Sequence, residues 1–331
     1  MIVASFLLIC LSAQGPGAPP DSGGVWGGDG EGGAPFVEAD PANPARVRGF
    51  DVEVAARIAR GLGGARRWAR FVQVQWSNID QSVERGDFDI GLSGVEDTPT
   101  RRARHAVTLP YFEFREVLAI RSTDQHRIRE LADLRGMRVG TLGATIAYDL
   151  LLAAQDSIGL IPVSYDDDVH PYSDLVRGRL DAVLLDHIIA HRALQRLGGG
   201  DAFVILPQPV ATGHYVGVLA HVDSALRDSV DAVLREAMRH GSLEQIYPRW
   251  NVWDPTQEVL FERVLRSGTT TQVSRAPVGR RVAAYLPSLA RAAGVTLSLS
   301  ALSMALAVIV GLALASVPVH WAGLLSLAGA A

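Results

Sequence analysis

From residue 25 onward the hydrophobic positions switch between two periods. VQVQ (72–75) alternates as an extended run, SNIDQSVERG follows with helical spacing and a stop at Gly86, and FDIGLS resumes the extended pattern. Earlier, FDVEVAARIARGLG (50–63) sets Val52, Ala55, Ala56, Ile58 and Ala59 on one helical face and offers Gly61 and Gly63 as stop signals. Alternation of this β-α-β kind predicts an α/β sheet with helices on both faces and a ligand at the C-terminal ends of the strands. Two further extended apolar runs, EVLAIRS (116–122) and GHYVGVLAHVD (213–223), lie far apart in the chain.

The two ends follow neither period. IVASFLLICLSA (2–13) has the length and composition of a secretory hydrophobic region without a basic stretch before it, and residues 13–28 read as a flexible Gly/Pro/Ala/Ser leader. Cys10 stands where a lipoprotein signal would carry a cysteine, although Ile9 fits that pattern poorly. Residues 292–319 contain no charge and exceed the roughly 20 apolar residues needed to cross a bilayer, so a transmembrane helix is predicted over 291–319, with an apolar tail at 320–331.

A chain of 331 residues, 48% hydrophobic and 20% charged, can build two cores. Net charge is −4 with no basic face, which argues against nucleic acid as a partner, and every basic residue other than histidine is Arg. With one cysteine there is no internal disulfide and no Cys metal site. His187 and His191 have the i,i+4 spacing that can bind zinc, but no third ligand accompanies them. GxSxG and phosphate loops are missing in usable contexts, so no catalytic set, cofactor or metal is predicted.

The stretch richest in chemistry is FDIGLSGVEDTPTRRARHAVTLPYF (88–112): a strand, a Gly turn, then Thr98-Pro99-Thr100-Arg101 opening a helix. Unpaired N–H groups at a helix start, with a guanidinium one turn in, make a carboxylate receptor. Thr98 as an ordinary N-cap and Arg101 as a solvated charge is the competing reading.

The order of seven segments resembles the family 3 extracytoplasmic solute-binding proteins, polar amino-acid receptors of ABC importers. These are DGEGGAPF (29–36), RGFDVEVAARIARGLG (48–63), VQVQWSNIDQSVERGDFDIGLSGVEDTPTRRA (72–103), LPYF (109–112), LADLRGMRVGTLGAT (131–145), LVRGRLDAVLLD (175–186) and 214–250. The resemblance implies a two-lobed periplasmic-binding-protein-like fold (type II), with lobe 1 at 25–117 plus 217–252, lobe 2 at 118–216, and 116–122 and 213–223 as the crossing strands. Residues 1–24 would be the signal-like leader and 253–290 a linker, with FERVL (261–265) as a short amphipathic helix. YLPSLARAAGVTLSLSALS resembles the first span of an importer permease, so the chain reads as a receptor fused to a truncated permease. Arg280, Arg281 and Arg291 before that span favour a cytoplasmic position for what precedes it. The secretory-like start and the resemblance favour an extracytoplasmic domain anchored in the inner membrane, and long translocated domains often override flanking charge.

For the site, the resemblance implies Arg101 on a ligand carboxylate, with the turn Ala144-Thr145-Ile146 of TLGAT offering N–H groups from the other lobe. Relatives often carry Gly where Ala144 stands. Asp186 would receive the ammonium, or serve as a plain N-cap for HIIAHRAL, or both. Trp76 is placed against the ligand side chain, or in the core. Glu96 stands where relatives have Ser or Thr and either contacts the ligand or pairs with Arg101. Ser93 and Gly94 would add backbone or hydroxyl contacts, and Asp97 is a surface or capping residue. Expected partners are a polar amino acid, the ABC permease and ATPase subunits, and the membrane. Two alternatives stand beside the receptor: a periplasmic dehydratase of prephenate or arogenate type, with Glu96 and Asp97 as acid/base candidates, and a sensor input domain.

Overall fold

A computed structural model describes residues 24–31, 33–63, 70–197 and 201–267, and positions 300, 303–304, 307–309 and 312. The chain divides into two compact units, Met1–Gln272 and Val273–Ala331, and both large sheets belong to the first. No helix among the described residues is long and apolar enough to cross a membrane. Most of the span predicted at 291–319, the segment 1–23 and the tail 320–331 lie outside the described residues.

The first sheet takes β1 (Val25–Gly28), β4 (Arg70–Gln73), β5 (Ile90–Gly91), β6 (Ala106–Val107) and β13 (Val218–Leu219) in the order β4-β1-β5-β13-β6. Its β1, β4 and β5 run parallel, and β13 is antiparallel to both neighbours. A hairpin of β2 (Glu38–Asp40) and β3 (Asn43–Arg48) stands apart. The helices here are α1 (Phe50–Gly61), α2 (Ile79–Arg85), α3 (Pro99–Arg104) and α7 (Ser224–Arg239). The buried stripe of α1 is Phe50, Val54, Ala55, Ile58 and Ala59, while Ala56 is exposed and Val52 half-buried. The stripe is rotated from the expected face because α1 also packs against α7, where a Cβ on Gly61 would lie 2.4 Å from the Val233 side chain. As expected, α2 ends at Gly86, whose φ of 78° is left-handed.

The second sheet contains β7 (Phe112–Arg121), β8 (Arg138–Leu142), β9 (Ile161–Tyr165), β10 (Ala182–Asp186), β11 (Phe203–Ile205) and β12 (Ala211–Tyr215), ordered β11-β7-β10-β8-β9 with β12 also on β7. It is accompanied by α4 (Ile146–Ser157), α5 (His170–Val176) and α6 (His187–Arg196). The chain leaves the first sheet at 108–111 and returns at 216–217. There the Thr108 N–H donates to the Gly217 carbonyl at 2.9 Å and the Gly217 N–H donates to Thr108 Oγ1 at 2.8 Å. The first crossing precedes the expected 116–122, and the second falls within the expected 213–223. β7 is paired along its ten residues with β10, β11 and β12 and has no break near 117.

Aromatic rings join the elements around these crossings. Tyr215 stacks on Phe112 and Phe114 at 5.5 and 4.4 Å, and Phe50 lies 5.6 Å from Phe112. The stretch expected to be a linker opens with α8 (Thr256–Arg266), which buries Gln257, Leu260, Phe261 and Val264. Fully buried Gln257 accepts the Glu113 N–H at 2.9 Å and donates to the Glu113 carbonyl at 2.8 Å, closing an edge of β7. Replacing it by Ala strands both backbone groups, so Gln257→Ala is expected to lower the unfolding free energy by about 2 kcal/mol in urea titration. An unchanged midpoint would mean that α8 is dispensable.

Candidate functional site

Between the two sheets, strand ends and helix starts face one another, as in the prediction of a ligand at C-terminal strand ends. Asp186 closes β10, α4 opens after β8, and Glu96 follows β5.

Arg101 is buried in the first turn of α3, whose N-cap Thr98 accepts the Arg101 N–H at 3.2 Å. Its Nε donates to both carboxylate oxygens of Asp80 on α2, at 2.9 and 3.1 Å, and its Nη1 donates to the Glu96 carbonyl. The guanidinium therefore already has an anion. The resemblance had placed a ligand carboxylate there, and nothing in the sequence pattern pointed to Asp80 as its partner.

Glu96 does not turn its carboxylate to Arg101. It reaches across to the second sheet's side, where Oε2 accepts the Ile146 N–H at the start of α4 at 2.5 Å. Thr145, the N-cap of α4, accepts the Tyr148 N–H at 3.1 Å and donates to the Leu142 carbonyl at 2.7 Å. Ala144 before it takes a left-handed φ of 59°, the conformation that favours Gly. A second cross-connection is made by Arg192 of α6, whose Nη1 donates to the Ala34 carbonyl at 2.6 Å and to Asp168 at 2.7 Å.

Asp186 carries the capping role: Oδ1 accepts the Ile189 N–H at 2.8 Å, starting α6. It is also paired in antiparallel register with Glu116 on β7, so the two side chains leave the sheet on one face. Glu116 is fully buried; the Ala147 N–H at the start of α4 is the donor nearest its carboxyl, and neither oxygen makes a hydrogen bond of good geometry. Sequence reasoning missed it; its signal was one carboxylate inside the apolar run EVLAIRS.

Trp76, Ser93 and Gly94 form a braced turn at one margin. The Trp76 indole N–H donates to the Ser93 carbonyl at 3.0 Å, and its ring packs against the apolar cluster of Ile79, Val83, Phe88, Val95 and Val218. Ser93 and Gly94, with positive φ of 125° and 63°, donate their N–H groups to fully buried Asp51 at 3.0 and 2.7 Å. Trp76 thus combines a core role with a fixed edge, and the Ser93 carbonyl is occupied by the indole. Asp97, as expected of a surface or capping residue, pairs with Arg102 at 2.5 Å.

The resulting electrostatics are acidic. Burial, then the charge of Asp186, raises the Glu96 carboxyl to about 8, against the lowering pull of the Ile146 N–H and Arg101. Glu116 is pushed well above the carboxylate range by burial and then by Glu96 and Asp186, and Asp186 is raised by burial. Among the described residues no group of His, Cys, Asp and Glu is placed to hold a metal ion.

Two α/β lobes joined by paired crossings make up a two-lobed fold of the periplasmic-binding type. Residues 30–252 match the bacterial extracellular solute-binding proteins, family 3, and the chain belongs to that family. Over 212 residues it is 24% identical to the L-cystine-binding protein TcyJ of Escherichia coli (strain K12), covering 64% of this chain and 77% of that protein. An ancestral arginine-binding protein bound to arginine shares the fold with a TM-score of 0.61 at 22% identity, over 69% of this chain and 97% of the other. So does AncCDT-1, an ancestral amino acid-binding protein and precursor of cyclohexadienyl dehydratase, with a TM-score of 0.58 at 22% identity over 68% and 94%.

Raised carboxyl values fix a sign for pH dependence. Glu96 at about 8 binds its proton more tightly folded than unfolded, so its contribution is complete below about 4.5 and is lost as the pH rises toward 8. Asp51, raised to about 7 by burial, acts in the same direction. The ligand-free protein is expected to melt several degrees lower at pH 8 than at pH 5, with a shallower fall in Glu96→Gln. Equal melting temperatures at both values in the wild type would contradict the buried-acid arrangement.

Proposed function

We propose that the chain is the extracytoplasmic receptor of an ABC-type importer, closing its lobes around a polar amino acid or a close derivative of one. The observation that carries this reading is the convergence of Glu96, Glu116 and Asp186 with the α4 N-terminus between two lobes whose chain crosses at paired segments. Such crossings allow hinge closure. A buried acid cluster offers a protonated amine what it needs, since an ammonium taken from water without a counter-charge costs several kcal/mol.

The curated relative's name and the arginine-bound neighbour support an amino-acid-like ligand. The permease and ATPase partners follow from the family, and the uncharged run 292–319 would tether the receptor to the inner membrane beside them. The dehydratase reading draws on AncCDT-1 and on Glu96, whose raised carboxyl suits proton transfer near neutral pH.

Isothermal titration of the full chain against the twenty amino acids and their amine derivatives tests the receptor reading. Binding that drops at least about tenfold in Asp186→Asn is expected, and a folded protein that binds none would contradict it. Arg101→Ala is expected to lower affinity by about 2 kcal/mol through release of the Glu96 carbonyl it fixes. Turnover of prephenate or arogenate would favour the enzyme instead.

A further inference from the structure

The positive positions that a zwitterion's carboxylate would use are already filled by the protein's own acids. The α4 N-terminus, which concentrates N–H donors and the positive end of a twelve-residue helix, is occupied by the Glu96 carboxylate at 2.5 Å from the Ile146 N–H. The Arg101 guanidinium is held at 2.9 and 3.1 Å by both oxygens of Asp80. A ligand carboxylate would compete with Asp80 for the Arg101 charge and with Glu96 for the α4 N-terminus.

Two buried acceptors beside them, by contrast, are short of donors. Fully buried Glu116 has the Ala147 N–H as its one nearby donor and no hydrogen bond of good geometry, in direct cross-strand register with Asp186, a juxtaposition that is repulsive when both are ionised. Independently, the Tyr172 hydroxyl, fully buried on α5, has no hydrogen bond and lies within the electrostatic reach of Asp186, Asp168 and Glu116. Its lone pairs are acceptors of the kind an N–H donor needs. A bare metal ion does not suit the arrangement, because no ligating group of acids and histidines converges among the described residues.

We propose that the cleft takes a small organic cation without a carboxylate, an amine or guanidine, with Glu96 as a built-in substitute for the ligand carboxylate and Glu116 and Asp186 as the acids facing the positive charge. This inference rests on the receptor reading and narrows its ligand class. Glu96, spanning the cleft to the Ile146 N–H, fills the anion seat from the protein side.

The test pairs each amine with its parent amino acid on the purified full chain by isothermal titration at pH 7.5: agmatine with arginine, cadaverine with lysine, putrescine with ornithine. At least one amine is expected to bind about tenfold or more tightly than its parent. Glu96→Ser, which reopens the α4 N-terminus, is expected to narrow or reverse that ratio. A wild-type protein that binds a parent amino acid as tightly as its amine, or more so, overturns the proposal and leaves the receptor reading standing. Folded protein, verified by circular dichroism, that binds neither set overturns both.

Discussion

One hydrogen bond organises the cleft: the Glu96 carboxylate reaching from the first lobe to the Ile146 N–H of the second, at 2.5 Å. A carboxylate at a helix N-terminus gains from the unpaired donors and the dipole together, and in a buried setting that gain is larger than at a surface. Arg192, bonded to the Ala34 carbonyl, adds a second tie on another side of the cleft. Between these ties lie acids whose raised carboxyls hold protons while no cation is bound. A bound cation would let them ionise beside it and leave the ties intact, a differential interaction of the kind ligand-driven closure needs.

Support for the site comes from residues outside the ligand-facing set. Asp51 at the start of α1 holds the Ser93-Gly94 turn through two N–H groups, and Asp29 accepts the Trp76 N–H at 3.1 Å. Asp80 fixes Arg101. Each is a carboxylate whose partner is distant in sequence, and each immobilises a group expected to meet the ligand. The turn is therefore set before any ligand arrives, which reduces the ordering cost of binding.

Much of this was legible in the residue pattern. Gly86 ends α2, Thr98 caps α3, Thr145 caps α4 and Asp186 caps α6, because caps and stops are written in neighbouring residues. Partners across the fold were not legible: Asp80 for Arg101, Ile146 for Glu96 and Gln257 for Glu113 are chosen by tertiary packing, which local spacing does not encode. Glu116 was hidden by its own strand, since a lone acid in an apolar run reads as an edge residue until its burial is known. The first crossing was misplaced for a related reason: an apolar extended run looks the same inside a sheet as between two.

The most direct measurement is the amide resonance of Ile146 followed by NMR from pH 5 to pH 10 in the ligand-free protein. Its proton shift is expected to follow the ionisation of the Glu96 carboxyl, with a midpoint near 8, and to lose that titration in Glu96→Gln. An Ile146 amide indifferent to pH across that range, and to the substitution, would contradict the bond on which the cleft is built.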